Sequence, residues 1–304
     1  MWDVAEYEEF KTNPWRPQGQ QWATPGRLGN IEGTPIWPRL HQAVRRGTPG
    51  FVKPALFAQY ALRIYLPFSG VSRRLRRFTR KIRGRDPGLT QSTRLPEIDW
   101  QYCLKGGRSR IWEPNQANGN IRISELAILA GLASGCAENT ALFEIGTFDG
   151  RTTLNLAMNS PSTCQVFTLD LPPECQPTHA LADGERGLVE KSRPGARYEQ
   201  HRSENPEIIS KIHQLLGDSA AYDFSPYQKQ CSLVFVDGSH AYENALSDSE
   251  VAMDMVTPSG IIVWHDYSIW QGVTRALEEL EASRHYGLRQ IRGTSLVYYQ
   301  APPA

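Results

Sequence analysis

A doubly wound, mostly parallel α/β sheet is what the sequence predicts from about residue 121 onward, and three observations carry that expectation. Short apolar runs recur and end in an acid: Leu142 to Glu144, Val166 to Asp170, Leu233 to Asp237, and Ile261 to Trp264 followed by His265 and Asp266. Between them lie segments of helical period, such as Tyr242 to Met255 and Val273 to Ser283. Glycines at 146 and 150 bracket the turn after the first run, and Thr152 to Met158 then opens as a helix. Strands alternating with helices give a sheet covered on both faces. Ligands of such sheets bind outside the strands' carboxyl ends, where these four acids fall.

Taken in order, residues 1–50 are rich in Pro, Gly, Gln and Trp with little periodicity, and Trp2, Trp15, Trp22 and Trp37 mark an arm that packs on something. Residues 51–70 are mostly apolar, with Pro54 and Pro67 limiting a central helix. From Ser72 to Gly84, Leu75, Phe78 and Ile82 draw a narrow apolar stripe on a densely basic helix. Such a helix suits either a membrane or nucleic-acid surface or docking on an acidic domain or a neighbouring subunit. Residues 89–120 read as a loop-rich connector. Ser124 is a plausible cap for a helix through Glu125 to Ala133. Past the glycine turn, Cys164 to Asp170 is a second strand, Tyr198 to Arg202 a weaker third, and Ile208 to Leu216 is helical in period, closing at Gly217. Leu288 to Arg292 and Ser295 to Tyr299 form a closing pair.

Charge divides the chain in the same place. Residues 1–120 hold 20 Lys/Arg against 9 Asp/Glu, whereas 121–304 hold 13 against 23, so the net +1 conceals a basic region on an acidic body. Two parts are therefore expected: a basic region at residues 1–120, serving self-association or the recruitment of an anionic partner, and an acidic catalytic body at 121–304. No apolar run reaches the roughly 18 residues of a membrane span. The opening Met-Trp-Asp-Val-Ala-Glu lacks the basic and apolar regions of a signal peptide. Five scattered cysteines without Cys-x-x-Cys spacing read as reduced, buried thiols. A cytoplasmic protein follows.

The acids carry the chemistry. Asp170, 24 positions past Gly146, suits a ribose diol, since one carboxylate accepts from both hydroxyls, though it could equally cap a turn. Glu144 either fixes the glycine turn or orients a ligand's ammonium group. Asp237 and Asp266 should end neighbouring strands and offer oxygen ligands to a divalent cation such as Mg²⁺, with His265 completing or orienting the site. His240, three residues after Asp237, suits a general base, or else is a turn histidine bonded to the helix that follows. The turn spells Glu-x-Gly-x-x-x-Gly, which does not meet the dinucleotide fingerprint.

Glu144-Ile-Gly-x-x-x-Gly-Arg-Thr-Thr-Leu154, Val236-Asp-Gly-Ser-His-x-Tyr-Glu243 and Pro258-x-Gly-x-x-x-x-His-Asp-Tyr267 together resemble the class I S-adenosylmethionine-dependent methyltransferases. Among them the chain is most similar to the metal-dependent O-methyltransferases of catechols and macrolide sugars, over roughly residues 121–300. The resemblance implies a Rossmann-like seven-stranded sheet with an N-terminal appendage. It implies S-adenosylmethionine as cofactor, with Glu144, Gly146, Thr147, Gly150 and Thr152 at its methionine part, Asp170 at the ribose, Asp218 and Ser219 near the adenine, and Asp237 adjoining. It implies a metal, Mg²⁺ or another divalent cation, on Asp237, His265 and Asp266, with His240 as the base in the Asp-x-x-His form. The acceptor would be a hydroxyl of a sugar or other natural product, and the assembly a homo-oligomer. Two departures stand out: His265 replaces a second acid beside the last ligand, and Asp149 adds an unexplained charge inside the turn. The rival expectations are a metal-independent small-molecule methyltransferase and a non-catalytic module that uses residues 72–85 to reach a membrane or, less readily, nucleic acid.

Overall fold

The computed structural model describes residues 94–104, 109–114, 116, 119–190 and 193–304. The tryptophan-rich arm, the apolar segment and the basic helix of 72–84 lie outside the described residues.

Eight strands form one sheet. They are β1 (Glu97–Ile98), β2 (Ala141–Ile145), β3 (Gln165–Asp170), β4 (Ile212–Leu216), β5 (Cys231–Val236), β6 (Val256–Trp264), β7 (Arg289–Ile291) and β8 (Val297–Gln300). Their order across the sheet is β1-β7-β8-β6-β5-β2-β3-β4, and every pairing is parallel except those of β8 with β6 and β7. Seven strands were expected; the eighth is β1, a two-residue edge strand that pairs with β7 through Glu97 and Ile98. The chain runs outward from β2 through β3 to β4, then returns to β5 on the other side of β2. That reversal opens a crevice between the carboxyl ends of β2 and β5.

All residues of β2 and β5 are buried, which is why they read as unbroken apolar runs. Alternate residues feed two cores. Phe143, Ile145, Val234, Val236, Ile262 and Trp264 meet helices α7 (Tyr242–Met255) and α8 (Gln271–Arg284) on one face. Leu142, Val166, Leu233, Phe235 and Val263 meet α2 (Ile123–Ser134) and α3 (Arg151–Asn159) on the other. A short helix, α1 (Trp100–Cys103), lies ahead of α2 and lends Cys103 to the second core, and another, α4 (Arg186–Val189), lies between β3 and β4.

Four local expectations are corrected. Tyr198 to Arg202 is no strand: Tyr198 lies in the one-turn helix α5 (Ala196–Glu199), buried against Gly150 with its hydroxyl on Gln214 Oε1 at 2.8 Å. Ile208 to Leu216 is not one helix: Pro206 opens a single turn, α6 (Pro206–Ile209), and the rest is edge strand β4. Lys211 separates them, its Nζ held by Ala157 O, Ser160 O and Ser160 Oγ at 2.7–2.9 Å. Ser124 caps nothing: α2 begins one residue earlier, and the Glu125 carboxylate reaches back to the Arg122 backbone N–H instead. Nor are the thiols all buried: the five are free, but Cys175 is exposed.

No helix among the described residues is long and apolar enough to cross a membrane.

Candidate functional site

The crevice is a cavity of about 400 Å³. Its floor is the carboxyl ends of β2, β3, β5 and β6, and its walls come from residues 119–122, the loop after β3 and the start of α8. Gly146 is what lets β2 and β5 open it. The residue holds φ +101, and a Cβ there would stand 2.1 Å from the Asp237 carbonyl oxygen, so any side chain would push the two strand ends apart.

Of the residues singled out from the sequence, Gly146, Asp170, Asp218, Ser219, Asp237, His240, His265 and Asp266 line this one cavity. Glu144, Thr147, Gly150 and Thr152 do not line it. Glu144 points under the turn, where its Oε2 accepts the Thr153 and Thr168 hydroxyls, and Oε1 is buried with no partner. Burial, reinforced by Asp237 and Asp170, pushes its pKa up to about 8. Thr147 bonds Thr168 and Gln214, and Gly150 packs on Tyr198, so this half of the turn is framework.

Asp170 and Asp218 lie at the other end of the floor. Asp170 accepts the backbone N–H groups of Phe148 and Leu171 at 2.9 and 3.0 Å, which tie β3 to the glycine turn. Asp218 accepts those of Ala220 and Thr178, at 3.1 and 2.5 Å. Asp149, whose charge the sequence left unexplained, is neutralised by Arg197 at 2.9 Å and also accepts from Asn120 and the Arg151 backbone.

β5 and β6 run side by side, with Val236 opposite Trp264, and so deliver Asp237 and His265-Asp266 to one spot. Asp266 holds φ +61, an uncommon backbone state for a non-glycine residue. His265 Nδ1 lies 2.9 Å from Asp237 Oδ1 and 3.3 Å from Asp266 Oδ2, yet it is buried and aligned for a hydrogen bond with neither. One ligand atom from each of the three residues lies within 4.8 Å of the others. Ligands about 2.1 Å from a common ion sit ~3.0 Å apart along an octahedral edge, so the 2.9 and 3.3 Å separations from the orphaned nitrogen suit a divalent cation.

His240 is clamped. Its Nδ1 and backbone N–H both face Glu185 Oε1 at 2.8 Å, its Nε2 lies 2.7 Å from Asp266 Oδ2, and its ring stacks on Trp270 at 4.3 Å. Burial alone would lower its pKa, but Asp266 and Glu185 outweigh burial and raise it to about 10. The first turn of α8 presses on the same loop: a Cβ at Gly272 would lie 2.3 Å from the His240 carbonyl.

Sequence reasoning missed four participants. Glu185 binds His240, Ser239 and the Ala182 N–H. Trp270 stacks on the imidazole. Glu125 faces His265 Nε2 at 3.4 Å, and Arg122 grips Glu125 through Nε at 2.8 Å. Only Glu125 carried a local signal, as the acid three residues into a helix.

Residues 143–267 match a family model described as a methyltransferase domain. No curated protein matches the chain. Among solved structures it is similar to the O-methyltransferase TomG from Streptomyces achromogenes, involved in tomaymycin synthesis, at 18% identity over 60% of this chain and 82% of that one, with a TM-score of 0.41. It is similar to the O-methyltransferase NovP at 16% identity over 60% and 81%, TM-score 0.47. The calicheamicin methyltransferase CalS11 gives 14% over 58% and 77%, TM-score 0.42.

Proposed function

We propose, from the match of residues 143–267 to a methyltransferase domain, that the chain is an S-adenosylmethionine-dependent O-methyltransferase acting on a hydroxyl of a sugar or other natural product. The observation that carries the reading is the meeting of Asp237, His240, His265 and Asp266 at one end of a cavity whose other end holds Asp170 and Asp218. When bound, the cofactor supplies a methyl group on a sulfonium, already activated for in-line displacement. The protein's part is alignment, proton removal and charge.

Asp170 and Asp218 would hold the ribose and adenine, and Gly146 leaves the backbone bare where the methionine part would pass. A divalent cation on Asp237, His265 and Asp266 would supply a Lewis acid that lowers the acceptor hydroxyl's pKa. The hydroxyl proton would go to His240 Nε2, since Nδ1 is committed to Glu185. Asp266 now faces Nε2 and, with Glu185, favours the protonated ring; a cation on that carboxylate would lower the imidazole's pKa, so that Nε2 would release its proton to solvent before accepting the one from the hydroxyl. The acceptor class rests on the motif resemblance alone. We further assign the part of residues 1–120 that precedes β1 to an acceptor lid or an interface between copies, because the excess positive charge of 1–120 complements the acidic body, while Glu97 to Cys103 belong to the sheet and its core.

The test is methyl transfer from labelled donor to a panel of hydroxylated acceptors. His240→Ala should lower turnover at least a hundred-fold with donor binding kept, general bases contributing about that much or more. Full activity in that variant, or in excess chelator, would sink the base-and-metal scheme. Chelator-resistant activity that still needs His240 would favour the metal-independent form.

A further inference from the structure

We infer that the Asp237–His265–Asp266 site selects a nitrogen-accepting divalent ion, of the Mn²⁺, Co²⁺, Ni²⁺ or Zn²⁺ kind, over Mg²⁺, and that Glu125 is the positioning residue that turns His265 Nδ1 toward that ion. The inference rests on the proposed reading of these three residues as a cation site.

The donor set is one imidazole and two carboxylates. Mg²⁺ is hard, favours oxygen and holds its waters, whereas imidazole suits the later first-row ions. One nitrogen in place of an acid also lowers the charge facing the ion from −3 to −2, which costs Mg²⁺ most because its binding is almost wholly electrostatic.

The orientation of His265 is fixed from behind. Nε2 faces Glu125 Oε2 at 3.4 Å. Glu125 has no exposed surface and cannot turn: Oε1 accepts the Ser295 N–H and O–H at 2.8 and 2.9 Å and is gripped by Arg122, while Oε2 accepts Arg122 Nε and backbone N–H at 2.8 and 3.2 Å. A carboxylate behind the distal nitrogen puts the ring proton there and leaves the lone pair on Nδ1. That nitrogen is the buried atom with no aligned partner, 2.9 and 3.3 Å from the two carboxylates. The rival reading is an imidazolium that neutralises Asp237 and Asp266, and those two carboxylates do favour the charged ring, holding its pKa well above the ordinary imidazole value. That reading calls for an Nδ1–H donated in line to one of them, whereas Nδ1 has no aligned partner, and an ion bound there would take the place of that proton.

The test uses the full chain, stripped with chelator and titrated by calorimetry with Mg²⁺, Mn²⁺, Co²⁺ and Zn²⁺ separately, with pulsed electron paramagnetic resonance of the Mn²⁺-loaded protein. Expected are one site, a coordinated-nitrogen modulation that persists in His240→Ala and vanishes in His265→Asp, and a fall of at least ten-fold in the Co²⁺-to-Mg²⁺ affinity ratio in His265→Asp. Glu125→Gln should weaken Co²⁺ ten- to a hundred-fold, the usual range for such partners. Wild-type protein lacking the nitrogen signal, or binding Mg²⁺ as tightly as Co²⁺, overturns this inference while leaving the proposed O-methyl transfer standing. Binding of none of the four ions overturns both this inference and the metal part of that proposal. The wild-type measurements decide even where a variant fails to fold.

Discussion

One carboxylate oxygen of Glu185 holds His240 twice, through the imidazole Nδ1 and through the backbone N–H, both at 2.8 Å. Its second oxygen takes the Ser239 hydroxyl and the Ala182 N–H, at 3.0 and 2.8 Å. The loop after β3 and the loop after β5 are therefore joined by one buried side chain, and the imidazole's orientation depends on both. Glu185→Gln keeps the size but removes the charge opposite Nδ1. We expect kcat for methyl transfer to fall roughly ten- to a hundred-fold with KM for the donor changed less than three-fold, as for other carboxylates behind a working imidazole. A Glu185→Gln enzyme with wild-type kcat would show that the clamp shapes the loop only.

Gly146→Ala should both unfold more easily and lose the ion site. The left-handed backbone costs a non-glycine residue about 1–2 kcal/mol, and a Cβ 2.1 Å from the Asp237 carbonyl oxygen forces β2 and β5 apart. A total destabilisation on the order of 3 kcal/mol is expected by denaturant titration. Because Asp237 is what the new methyl displaces, calorimetric affinity for a divalent ion should drop alongside. Unchanged stability would mean that the turn relaxes without moving β5.

The sheet was legible because its central strands are buried on both faces and end in acids at one edge, so apolar runs and strand-end residues carry the fold and half of the site. Legibility failed at β4, an edge strand whose half-exposed Ile212 and Leu215 and exposed Leu216 fit a helical period as well as a strand. It failed again for Glu185, Trp270 and Arg122, which reach the cleft from loops and a helix start. Their partners lie far away along the chain, and no local spacing encodes a contact such as Glu125 with His265, 140 residues apart. At the first half of the glycine turn the direction of the side chains was not legible: Glu144 and Thr147 sit beside cavity residues in sequence but point beneath them.

Arg151 staples the segment ahead of α2 to the domain. It is 1% exposed, and its guanidinium donates to three backbone carbonyls: Glu113 at 2.6 Å, Ile121 at 3.0 Å and Pro114 at 3.3 Å. A lysine ammonium has no planar fork with which to reach three acceptors at once. Arg151→Lys should cost about 2 kcal/mol by leaving buried carbonyls unpaired. It should also release residues 113–122, whose Asn120 and Arg122 line the cavity. Limited proteolysis is expected to cut near residue 116 sooner in the variant, with weaker donor binding. Equal cleavage rates would refute the staple.

Glu144 should make the protein less stable as pH rises. Its folded pKa is raised to about 8 against an ordinary 4.5, so between those values the native state keeps a proton that the unfolded chain has released. Stability therefore falls with pH across that window. The contribution is fully present below about 4.5 and gone above about 8, with a steepest slope near 1.4 kcal/mol per pH unit. Asp248, raised by burial to about 7, acts in the same direction, so the total profile mixes the two. Glu144→Gln separates them, because the amide oxygen can accept from Thr153 and Thr168 while carrying no charge at any pH. In denaturant titrations from pH 5 to 9, the wild type should lose stability relative to this variant as pH rises, and the variant should be the more stable above pH 8. Parallel profiles would mean that Glu144 is ionised throughout and that the domain tolerates its charge beneath the glycine turn, beside Asp170 and Asp237.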